Sequence, residues 1–86
     1  MMGDVTIRDY IGYEKELTAK EIRKLPVGTV ITVHSFDRWS AHQTCDMTVT
    51  AGKDGKKYLS ARDFYGGLVR KPISKETDRR CYTEKR

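Results

Sequence analysis

Nowhere in this chain do more than two apolar residues stand side by side, as at Val30-Ile31 and Leu68-Val69. A bilayer crossing takes about 20 mostly apolar residues in a row, so no membrane span and no membrane partner is expected. The core has to come from scattered side chains in a chain of 86 residues. That length suits one small domain and is too short for a doubly wound nucleotide-binding fold or a (β/α)₈ barrel. A binding module or a very small enzyme remains. The opening Met1-Met2-Gly3-Asp4 has neither a basic nor an apolar leader region, and Ile7 stands where a myristoylation motif needs Ser or Thr. A cytoplasmic location is expected.

Local patterns point to a mainly β chain with one short helix near 18–25. Thr18 is a good N-cap and Glu21 completes a capping box. Leu17 and Ile22 are placed to form a hydrophobic staple, and Pro26 stops the turn. A β-branched run over 29–36 reads as a strand. Cys45, Met47, Val49 and Ala51 then alternate with Asp46, Thr48 and Thr50, the period of a half-buried strand with Cys45 facing inward. Asp54-Gly55 marks a hairpin into a third strand over 56–61, and Leu68–Ile73 forms a fourth, edge-like strand that Pro72 ends. The layout predicts a small, bent antiparallel sheet, or an SH3-like barrel of four to five strands.

Charge divides the chain. Residues 1–69 hold 10 Lys+Arg and 9 Asp+Glu, whereas 70–86 hold 7 and 3, so most of the net +5 lies in the last stretch. Residues 1–73 are therefore expected to fold as one small β-rich domain, with Val5, Ile7, Tyr10, Ile11 and Tyr13 ordered against it. Residues 74–86, with little that is apolar except Cys81 and Tyr82, are expected to form a basic, flexible tail. Two cysteines are too few for a disulfide scaffold, and both are read as thiols, with a Cys45–Cys81 bridge left open.

The most chemically loaded stretch is His34–Asp46, which holds both histidines, the one tryptophan and Cys45. His34, His42, Cys45 and Cys81 lack the close Cys-x₂-Cys or His-x₃-His pairs of a zinc site, so no metal and no cofactor is expected. A His34–His42 acid–base pair, as a small metal-independent nuclease or hydrolase would use, or a Cys45–His nucleophile, has no local signature, and no catalytic residue is expected. Binding is the favoured reading. Arg38, Trp39 and His42 are placed to stack on bases while Lys53, Lys56, Lys57, Arg70, Lys71, Arg79 and Arg80 engage phosphates of a nucleic acid or nucleoprotein. The alternative is a protein partner, with the chain acting as a small inhibitor or adaptor encoded by a phage or other mobile element. Phe36, Trp39, Tyr58, Phe64 and Tyr65 are the aromatics available to that surface, of which Phe36, Tyr58 and Phe64 are expected to be buried. The fourth strand's open edge offers a route to a homodimer.

Overall fold

The structure, a computed structural model, describes residues 5–85. Helix α1 (Arg8–Ile11) and the two-residue strand β1 (Glu16–Leu17) precede helix α2 (Ala19–Arg23). Strands β2 (Val30–Phe36), β3 (His42–Ala51), β4 (Lys57–Arg62), β5 (Leu68–Pro72) and β6 (Arg80–Glu84) follow. All pairings are antiparallel, and the six strands lie in the order β1-β6-β2-β3-β4-β5. β1 and β5 are the outer strands, so the sheet is open and the barrel alternative does not hold. β1 is too short to offer an edge, and β5 carries exposed Arg70 and Lys71 and ends in Pro72, features that discourage further pairing. Among the described residues no helix is long and apolar enough to cross a membrane.

Register assigns the two faces, because paired residues point the same way. One face carries Leu17, Ile31, Met47, Val49, Leu59 and Tyr82, and α2 packs on it through Ala19 and Ile22. The capping box forms as the sequence predicts. Thr18 Oγ1 accepts from Glu21 N and Glu21 Oε1 from Thr18 N, both at 3.1 Å. The helix stops at Arg23, and both members of the staple, Leu17 and Ile22, are buried in this core. The opposite face carries a smaller core of Ile7, Ile11 and Cys81 with Phe36 against it, so α1 covers that side.

β6 overturns the expected tail. After β5 the chain crosses the α2 face, burying Ile73, and returns to pair with β2 on one side and β1 on the other. Tyr82 Oη donates to Ser74 O at 2.8 Å and Arg23 Nη2 to Ile73 O at 2.7 Å, which pins the crossover down. Cys81, Tyr82 and Thr83 are all buried, since this strand is covered on both faces. The polar composition of 74–86 hid this, because the apolar surface that orders the segment belongs to partners far away in sequence. At the other end Ile7 and Ile11 are buried as expected, whereas Val5, Tyr10 and Tyr13 are exposed.

Removing residues 80–86 is therefore expected to abolish cooperative unfolding in a urea titration. Tyr82→Ala should cost about 3–5 kcal/mol, as for other large aromatics cut from a core.

Candidate nucleic-acid interface

Three hairpins join β2 to β5, and all three use one turn. In each, the first residue's N–H bonds the fifth residue's carbonyl, and the fourth residue's N–H bonds the first residue's carbonyl. The distances are 3.0 and 3.0 Å at Asp37–Ala41, 2.8 and 3.1 Å at Gly52–Lys56, and 2.8 and 3.0 Å at Asp63–Gly67. The fourth residue is left-handed each time: Ser40 at φ 60°, Gly55 at 81° and Gly66 at 82°. This is the type I turn with a bulge that a three-residue hairpin loop favours.

Antiparallel geometry puts the first and third of these turns at the same end of the sheet, with hairpin centres two strands, or about 10 Å, apart. These two share more than backbone. Asp37 Oδ1 accepts from Trp39 N at 2.8 Å and Ala41 N at 2.9 Å, and Asp63 Oδ1 accepts from Tyr65 N at 2.9 Å and Gly67 N at 2.7 Å. Each aspartate thus fixes a turn whose third residue is aromatic. Trp39 is 76% exposed and Tyr65 91%, and Phe64, edge-on to Tyr65 at 5.5 Å, is 96% exposed. Phe64 was expected in the core. Its place in the turn points it outward, and Tyr82 supplies the buried aromatic instead. Phe36 and Tyr58 are half-buried.

Three arginines stand at this end. Arg38 lies over the Trp39 ring at 5.1 Å, and Arg62 Nη1 donates to Gly66 O at 3.0 Å. Arg79 covers the Phe36 ring at 5.2 Å and donates from Nη2 to Asp37 O at 3.3 Å. Among the described residues none of the three is in an ion pair, whereas Arg8, Lys15 and Lys85 all are.

The other expected site residues do not join them. Lys53 and Lys56 belong to the middle hairpin, at the far end of the ten-residue β3, about 30 Å away along the strand. Gly52 opens that turn because a Cβ there would collide with the Tyr58 ring. Lys57 is spent on structure, its Nζ donating to Leu25 O just beyond the end of α2. Arg70 lies over the Tyr58 ring at 4.6 Å on the α1 side of the sheet. Lys71 and Arg80 lie on the α2 side. The basic residues are thus spread over both faces and both ends, with one cluster beside aromatics. The repeated Asp-x-aromatic-x-small spacing at 37–41 and 63–67 is the signal that marks this cluster in the sequence.

The histidines are brought together. His42 opens β3, where a loop residue was expected, and its Nε2 lies 3.0 Å from His34 Nδ1 with the rings stacked at 7°. Tyr10 packs on His42 at 5.1 Å, and His34 Nε2 meets Thr83 Oγ1 at 2.8 Å. Burial holds His34 below its ordinary 6.5, opposed by Glu14 and reinforced by His42. Each imidazole nitrogen of His34 has a protein partner, which suits a neutral, structural ring. Cys45 is exposed, because it lies beyond the part of the sheet that α2 covers. Cys81 is buried on the opposite face, its thiol pushed up to about 11 by that burial, so no Cys45–Cys81 bridge can form.

Comparison with protein-family models, with curated proteins and with solved structures finds no match.

Two outcomes check this geometry. The unfolded chain protonates its histidine near 6.5 and the folded chain only below that, so stability should be flat between about pH 7.5 and 8 and fall as pH drops through 6.5. Urea midpoints from pH 8 to 5 should show that decline, and His34→Gln should flatten it. At the turn, Gly66→Ala forces a Cβ into left-handed backbone and should cost about 1 kcal/mol, read in the same titration.

Proposed function

We propose that this chain is a non-enzymatic binding module that holds single-stranded nucleic acid, free or within a nucleoprotein, at the end of the sheet bearing Trp39, Phe64 and Tyr65. The observation that carries this reading is the pair of matched turns. Two hydrogen-bonded loops present aromatic rings to solvent beside Arg38, Arg62 and Arg79, three cations that no carboxylate among the described residues neutralises. Bases stack on such rings with little regard to sequence, and arginines track the phosphates. The turn itself does not require aromatic residues at these positions, since the middle hairpin builds the same turn with Lys53 and Asp54 there. His42 drops out of the binding surface, being engaged with His34 and Tyr10.

A second reading, docking on a protein as an inhibitor or adaptor, is favoured by the exposed Phe64, Tyr65 and Leu68, which run from the third turn into edge strand β5. Salt separates the two readings. Three arginine–phosphate contacts on a single strand give a log–log slope of about −2, or roughly 20-fold weaker binding between 50 and 200 mM salt. An apolar anchor on a protein is far less sensitive.

Trp39 fluorescence reports directly, because the chain has one tryptophan. Titration with single-stranded and duplex DNA and RNA at the two salt concentrations should show salt-sensitive binding, strongest for single strands. Tyr65→Ala should weaken it roughly 5- to 150-fold, the worth of one stacked base. Failure to bind any of the four overturns the reading.

A further inference from the structure

α2 and the crossover cover only part of their face of the sheet. The remainder is a groove of about 460 Å³, within the size range of small-ligand sites. Its floor is Val33, Cys45, Met47, Leu59, Ala61 and Val69, one apolar surface drawn from four strands. Three cations line it, Lys71 and Arg80 from this face of the sheet and Arg62 from the border with the third turn. The one carboxylate in the lining, Asp63, has its Oδ1 committed to two backbone N–H groups of its own turn.

Arg80 is the incomplete part of this lining. A guanidinium has five N–H donors. Here Nη2 reaches Lys75 O at a long 3.4 Å, and Nε is shut off from solvent with no acceptor among the described residues. No groove ligand can reach that buried Nε, but the Nη edge is committed only to the one long bond, and a two-oxygen anion is the acceptor a guanidinium matches best.

From this charge complementarity we propose that the groove is a binding site for a small apolar carboxylic acid. Its carboxylate sits between Lys71 and Arg80, and its hydrocarbon part lies over Met47, Leu59 and Ala61. The groove borders the third turn and shares Arg62 and Asp63 with it, but none of the exposed aromatic rings lines it, so either site can fail without the other.

Decanoate below its micelle concentration is a suitable probe, with ¹³C-methyl spectra of the intact protein as the readout. Saturable shifts are expected at the Met47 and Ala61 methyls, while Ala19, on the buried side of α2 and outside the groove, should not move. Decyltrimethylammonium, with the same chain and the opposite charge, should bind at least tenfold more weakly. Arg80→Met and, at the exposed position, Lys71→Met should each weaken decanoate at least tenfold. Lys71→Met keeps the test valid should Arg80→Met fail to fold. Tyr65→Ala should leave decanoate binding unchanged whatever it does to nucleic acid. The proposal is overturned by an absence of saturable shifts, by equal binding of the two amphiphiles, by shifts that spread to Ala19, or by indifference to Lys71→Met.

Discussion

Tyr82 stands where the return strand, the crossover and the helix meet. Its ring is buried on the α2 face beside Leu17, Ile22 and Ile31, and its hydroxyl is satisfied by the Ser74 carbonyl. A tyrosine can be buried this deeply only if the polar tip finds a partner, and here that partner lies on the segment that must cross the sheet. One side chain thus ties the crossover to the strand it delivers. Without β6, β1 loses its pairing partner, β2 becomes an edge, and Ile7 and Ile11 lose Cys81 as part of their support. The meander β2–β5 has local connections and can form early, while β6 has to close a long loop first.

A single sheet with a core on each side is an economical solution for a chain with no long apolar run. Each interior strand spends alternate residues on opposite faces. The α2 face takes the aliphatic residues, and the other takes His34, Cys81 and Thr83 beneath α1. A polar group buried in so thin a layer must be paired to be tolerated. His34 meets that demand through His42 and Thr83, which gives a packing reason for two histidines to lie side by side.

What the sequence made legible was whatever a few neighbouring residues decide. Thr18 and Glu21 specify a helix start by their own hydrogen bonds, and Asp54-Gly55 specifies a turn by backbone preference; both are present as read. The alternation through Met47 and Val49 was equally local, but Cys45 two residues earlier followed the same period to the opposite outcome. Alternation says which face a residue takes and not how far the cover on that face extends. β6 was missed for the same reason on a larger scale. Arg80, Thr83 and Glu84 look like solvated chain, and only pairing with β2, some fifty residues away in sequence, makes Thr83 an interior residue. Phe64 failed in reverse. Its apolar character suggested the core, whereas position in the turn decided that it points to water.

The turns and the groove leave the molecule with two chemically different surfaces. Asp63 belongs to both, since it fixes the turn that carries Tyr65 and also borders the groove. A shared residue transmits a signal only if it has two arrangements to choose between. Asp63 is held by two bonds to its carboxylate oxygen and two more through its backbone, so the turn has a single arrangement to offer. Rigidity of that kind lowers the ordering cost of binding at the aromatic rings. By the same physics it insulates them from the groove. A chain of 86 residues can thus carry two chemically different surfaces a few residues apart, one made by side chains that the fold excludes and the other by a part of the sheet that the helix does not reach.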